Sequence, residues 1–245
     1  MSDDDARDDL AERARFLARL TDIGVPWPPA GSHEAEVPEP GGTGPGAGAP
    51  GADPEARLRA IREEMGDCQR CGLAAGRKKI VFGQGTPRAE LMFVGEAPGA
   101  DEDEQGLAFV GRAGKLLTDI IEKGLRMKRE DVFIGNVVKC RPPQNRNPEA
   151  DEIMACQPFL EAQIRAIQPK VLVALGKFSA HWLLKTAVPI TRLRGQIGEW
   201  EGIPAMPTYH PAYLLRNPAG KRPVWEDMQE VLRKLGREAP PAKKG

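Results

Sequence analysis

The chain has 245 residues and a formal charge of zero, 35 Lys and Arg against 35 Asp and Glu. A hydrophobic fraction of 40% is enough for a core, yet 27 Gly and 23 Pro mark part of the chain as coreless. No apolar run reaches the roughly 18 residues of a membrane span, and the acidic start MSDDDARDD lacks the regions of a signal peptide, so a cytoplasmic protein without a membrane role is expected.

Along the chain, residues 1–22 are predicted to hold an amphipathic helix, with Leu10, Ala14, Leu17 and Leu20 on one face. Ser2 and Asp5 suit its cap, and it is a candidate docking element for a protein partner. Residues 23–54 read as a disordered linker. From Gly24 to Pro54, 16 of 31 residues are Gly or Pro, too little apolar surface to offset ordering entropy. The charge divides at the same place. Residues 1–54 hold 11 acidic and 4 basic side chains, and the remainder 24 acidic and 31 basic. The basic part has two readings, a polyanion partner or a solvated surface rich in Arg.

The predicted domain spans 55–238, with 239–245 as a tail. Helices are expected over Glu55–Met65, Arg112–Lys123, Glu149–Ile167 (opened by Pro148), Lys177–Leu184 and Val224–Leu235. Short apolar runs at Glu90–Gly95, Val132–Val138, Lys170–Leu175 and Ile203–Thr208 read as buried strands. This alternation predicts an α/β fold: a central four-stranded, mostly parallel sheet between helical layers. Chemistry is then expected at the carboxyl ends of the strands.

Cys68, Cys71, Cys140 and Cys156 are the only cysteines, a C-x2-C pair followed after 68 and 15 residues by single thiols. In a reducing compartment this set favours a metal site over disulfides. Four thiolates suit zinc or a [4Fe–4S] cluster equally on spacing, and Lys139 and Arg141 would offset an anionic cluster.

Three loops carry candidate chemistry. The first, Gly95–Lys115, is glycine-rich and acidic and includes Glu96, Ala97 and Phe109. Gly106 and Gly111 have phosphate-loop spacing, but Arg112-Ala113 stands where Lys-Ser/Thr is required. The second places Asn136 at a strand end, where an amide can both donate to and accept from a pyrimidine edge. The third, His210-Pro211-Ala212-Tyr213-Leu214-Leu215-Arg216-Asn217-Pro218, offers an imidazole for developing negative charge and an apolar, basic tip that can wedge into a base stack. The preceding stretch containing Arg192 and Arg194 suits phosphates.

Together GEAPGADEDEQGLAFVGRAGKLL, NVVKCRPPQNRNP, LRGQ, HPAYLLRNP and the four cysteines resemble the family 4 uracil-DNA glycosylases, the iron–sulfur type of bacteria and archaea. The resemblance runs over residues 60–235 and implies a three-layer α/β/α sandwich holding a [4Fe–4S] cluster on Cys68, Cys71, Cys140 and Cys156. It implies a monomeric hydrolase that flips deoxyuridine out of single- or double-stranded DNA and cuts the N-glycosidic bond, starting base excision repair. By the same resemblance Phe109 stacks on uracil, Asn136 pairs with its N3–H and O4 edge, and His210 faces O2. Glu96 and Ala97 belong to the water-binding motif. Tyr213, Leu214, Leu215 and Arg216 form the wedge, with Leu214 at its tip. Ala97 replaces the aspartate of family 1 enzymes, which makes Glu96 the candidate for activating water. Gly99 replaces their tyrosine, which leaves Glu102 as the candidate for excluding the thymine methyl group. The competing classes are an iron–sulfur module that recognises uracil or damage without cleaving and a zinc-bound structural protein with no DNA role.

Overall fold

The computed structural model describes residues 53–239; the terminal helix and the linker expected before them lie outside the described residues. A six-stranded sheet forms the centre, in the order β1 (Gln84–Gly85), β3 (Phe133–Asn136), β2 (Leu91–Gly95), β4 (Val171–Leu175), β6 (Ile203–Thr208) and β5 (Gly198–Trp200). The four inner strands are parallel and the two short edge strands antiparallel. The expected four-strand core is therefore present, with two further edges. Every residue of β2 and β4 is buried, because helices cover both faces of a parallel sheet.

Side chains alternate between the two layers. Met92, Val94, Leu172 and Ala174 pack with α1 (Pro54–Met65), α4 (Ala150–Ile167) and α5 (Lys177–Leu184). Leu91, Phe93, Val171 and Val173 pack with α3 (Arg112–Asp119), α7 (Pro211–Arg216) and α8 (Lys221–Lys234). Two short helices, α2 (Ala100–Gln105) and α7, fall inside segments expected to be loops, and α6 (Ile190–Leu193) lies before β5. No helix among the described residues is long and apolar enough to cross a membrane.

The register aligns the strand ends. Gly95 faces Asn136, and Leu175 faces Thr208. From β2 the chain crosses to β3 on one side, then to β4 on the other. The crevice at this change of direction is where open α/β sheets place their ligands.

Candidate active site

Asn136 ends β3 with its side chain 1% exposed, and its amide oxygen Oδ1 has no hydrogen-bond partner. A Cβ on Gly95 would fall 2.3 Å from that oxygen and 2.7 Å from Phe109 Cζ. The amide and the aromatic ring therefore meet over a bare α-carbon, and any larger residue at 95 would push them apart.

Phe109 sits between α2 and α3 with φ 53°, a left-handed conformation that costs a non-glycine residue about 1–3 kcal/mol. Its surroundings hold it there. Glu102 accepts hydrogen bonds from the amides of Val110 (2.9 Å), Gly111 (3.0 Å) and Gly99 (3.2 Å). Arg129 donates to the carbonyls of Ala108 (2.7 Å) and Phe109 (3.1 Å) and to Thr118 Oγ1 (2.9 Å). Gly114 lets α3 approach, since a Cβ there would lie 1.9 Å from the Phe109 carbonyl oxygen.

His210 caps α7, with Nδ1 accepting from the Ala212 amide at 3.1 Å. A neutral ring bonded in this way carries its proton on Nε2. Burial pushes the imidazole down to about 4, and Arg216 acts in the same direction against Glu102, so the ring is uncharged at neutral pH. The Gly176 amide, just past β4, donates to Thr208 O at 2.9 Å and ties the His210 segment to the strand ends. The Phe109 and His210 ring centroids are 5.6 Å apart. Phe109, Asn136 and His210 are thus brought together from three separate parts of the chain.

Glu96 and Ala97 follow β2 and are half-buried. The Glu96 carbonyl accepts from the Val138 amide at 3.1 Å. Burial pushes the Glu96 carboxyl up to about 7, with Lys177 opposing.

Two expectations need correction. Leu214 is 1% exposed and packs in the core beside Pro211, because α7 turns these two residues inward. Tyr213 and Leu215 are 38% and 40% exposed, and Arg216 is exposed as well, so the outward tip passes from Leu214 to Leu215. Arg194 is not a free cation either. It forms a bidentate ion pair with buried Asp227 and donates to Pro223 O at 2.8 Å. Asp227 also accepts from Thr208 Oγ1 at 2.6 Å, which makes Arg194 a brace between α6 and α8. Arg192 remains exposed.

The four thiols lie on the α1/α4 side of the sheet. Cys71, Cys140 and Cys156 are each held above the ordinary thiol range, chiefly by burial and further by neighbouring thiols, with Cys156 pushed up to about 12. Cations and N–H groups surround them. Arg77 reaches Cys140 Sγ at 3.6 Å, and the Lys139 amide reaches Cys156 Sγ at 3.2 Å. Among the described residues no three His, Cys, Asp or Glu side chains close around a single ion.

Comparison with known proteins decides the family. The uracil DNA glycosylase superfamily model matches residues 82–233. The type-4 uracil-DNA glycosylase of Sulfurisphaera tokodaii is 47% identical over 71% of this chain and 83% of its own. That of Thermotoga maritima is 44% identical over 72% of this chain and 94% of its own. This chain belongs to the type-4 uracil-DNA glycosylases.

In this type-4 glycosylase the motifs mark Phe109, Asn136 and His210 but not the groups that hold them. Glu102 was read as a guard against thymine, yet both its oxygens are taken by backbone amides. Arg129 was not singled out. It lies 20 residues from Phe109, and only the fold joins them. One local signal was present: His210-Pro211 is a cap followed by proline at the first helical position, which marks α7.

Proposed function

We propose that this glycosylase removes uracil from DNA with Phe109, Asn136 and His210 as its substrate-holding groups. The observation that carries the assignment is the buried, unpartnered Oδ1 of Asn136 beside the Phe109 ring. A buried acceptor without a partner costs about 1–3 kcal/mol. The N3–H of a flipped uracil supplies the missing donor, and the amide N–H can donate to O4. Cytosine has no proton at N3 and leaves the oxygen unpaired.

Extrusion of the nucleotide costs a few kcal/mol, and stacking on Phe109 returns about 1–3 kcal/mol. Leu215 and Arg216 fill the space left in the duplex. The bond from C1′ to the base nitrogen then breaks, with its electron pair leaving on uracil. Charge grows on O2, where the neutral His210 donates from Nε2. Water adds to the sugar cation, and its proton passes to Glu96, whose carboxyl near 7 is poised as a general base.

Cys68, Cys71, Cys140 and Cys156 would hold a [4Fe–4S] cluster. Four cysteine thiols packed on one side of the sheet are the donor set that such a cluster takes. Arg77 and the buried Lys139 would balance its negative charge. The cluster would pin α1 and its following turn to β3 and α4, and no chemical step passes through it.

The direct test incubates the protein with uracil-containing and matched thymine-containing oligonucleotides and measures free base and abasic sites. Uracil release from the first alone is expected. Binding without release would refute the glycosylase assignment.

A further inference from the structure

A depression of about 400 Å³ is lined by Arg62, Arg77, Lys78, Lys79, Asp67 and Gly106 among others, with none of Phe109, Asn136 and His210 in its lining. Four cations face one carboxylate. Asp67 is already engaged by Arg77 at 2.6 Å, and Lys78 pairs with Glu104 on α2. Arg62 and Lys79 form no ion pair among the described residues. The Arg62 guanidinium reaches only the Met65 sulfur at 3.8 Å and the Phe82 ring at 5.7 Å. The depression thus keeps two exposed cations outside any ion pair, Lys79 with only a longer-range attraction to Glu104, and an anion is the ligand that its charge favours.

Its position tells which anion. The strap carrying Lys78 and Lys79 is tied to α2, since both backbone amides point at the buried Asp103 carboxylate, at 2.9 and 3.4 Å. The Lys79 side chain lies against Gly106, where a Cβ would meet its Cδ at 3.3 Å. Gly106 comes three residues before Phe109, and three residues span at most about 11 Å. Phosphates on one DNA strand recur about every 3.4 Å of helix axis. A phosphate about two or three nucleotides from the flipped uracil therefore comes within reach of the depression.

We propose that this depression is a phosphate subsite for the DNA strand carrying the uracil, with Arg62 and Lys79 as its two ligands. Lys78 raises the local potential while remaining paired with Glu104, and Arg77 is taken up by Asp67 and the thiols. The proposal rests on the uracil-DNA glycosylase reading and adds a contact that the base-holding residues do not supply.

The test uses the full chain with Arg62→Ala, Lys79→Ala and the double variant. Each is assayed on a uracil oligonucleotide of about twenty nucleotides and on a trinucleotide centred on deoxyuridine, too short to reach the subsite. In the double variant, kcat/KM on the long substrate is expected to fall roughly tenfold relative to the trinucleotide, and the salt slope to shrink by about one phosphate's worth. An unchanged ratio and slope would overturn the proposal. An equal loss on the trinucleotide would also overturn it, because the residues would then be supporting the base-holding site. Inorganic phosphate at constant ionic strength separates the sources. Competition with the long substrate in the wild type but not in the double variant supports a phosphodiester site. Phosphate binding with an unchanged DNA salt slope would make the depression a site for free phosphate and contradict the proposal. Failure of the glycosylase reading looks different: the wild type would release no uracil from either substrate.

Discussion

Phe109, Asn136 and His210 stand at strand ends or in the loops leaving them, and the protein's own bonds hold them in place: Glu102 and Arg129 around Phe109, the Ala212 amide on His210, the bare α-carbon of Gly95 beneath Asn136. The four cysteines occupy segments that bracket the sheet, and their surroundings pull in opposite directions. Burial keeps Cys71, Cys140 and Cys156 protonated, while Arg77 and Lys139 favour the thiolate at Cys140 and Cys156. The residues proposed to hold the base are thus fixed by the protein's own bonds, whereas the proposed cluster would complete the thiol site by displacing its protons. One residue belongs to both regions. Lys139 is 1% exposed. Its amide meets Cys156, and its ammonium donates to the Asn136 carbonyl at 2.9 Å and to Gln163 Oε1 at 2.6 Å.

The largest effect should come from the thiol site, and in stability. Cys140→Ala is expected to abolish iron binding and lower the melting temperature by roughly 10 °C, since a lost metal site costs several kcal/mol. Iron analysis with a thermal melt checks this, and unchanged values for both would remove the cysteine from the ligand set. His210→Ala should do the reverse, costing in stability only the cap of α7, about 1 kcal/mol or a few degrees, and lowering kcat by about 10²–10³; single-turnover kinetics at saturating DNA would show it. Asn136→Asp comes next. The preference for uracil over cytosine is expected to fall by about 10–100-fold, in line with one misplaced buried hydrogen bond, and unchanged selectivity would detach the amide from base reading.

Lys139→Met probes the link between the two regions. The variant should keep its iron yet lose roughly tenfold in kcat/KM, about the value of one charged hydrogen bond. In an Asn136→Ala background the same change should cost almost nothing, because Lys139 acts through Asn136. Equal losses in both backgrounds would show general damage instead.

The smallest effect concerns pH. The wild-type rate is expected to climb through about 7 as the Glu96 carboxyl loses its proton, and Glu96→Gln should flatten that limb. The raised carboxyl also sets the sign for stability: its contribution is full below the ordinary carboxylate range and lost as pH rises through about 7. The Gln variant should therefore compare most favourably with the wild type in alkaline solution.

β2, β3 and β4 were legible because every residue in them is buried and most are apolar, and β6 because its last four residues are buried. The edge strands were not. β1 has only two residues, and β5 reads Gly-Glu-Trp, with one buried side chain. The helices α2 and α7 have six residues each, too few for a helical period to stand out. That brevity also explains Leu214: without the phase of α7, two adjacent leucines look alike, and only packing assigns one inward and the other outward. The residues proposed to hold the base could be read from their motifs, but the braces could not. Glu102 and Arg129 act on backbone atoms up to 21 residues away, and Arg194 spends its charge on Asp227, 33 residues distant. Such contacts leave no periodic trace in a sequence.

A crystal structure of the protein with free uracil would test the central claim most directly. The base should lie on the Phe109 ring with N3 within hydrogen-bonding distance of Asn136 Oδ1 and O2 facing His210 Nε2. Uracil bound elsewhere, or an Asn136 amide turned away from it, would contradict the account.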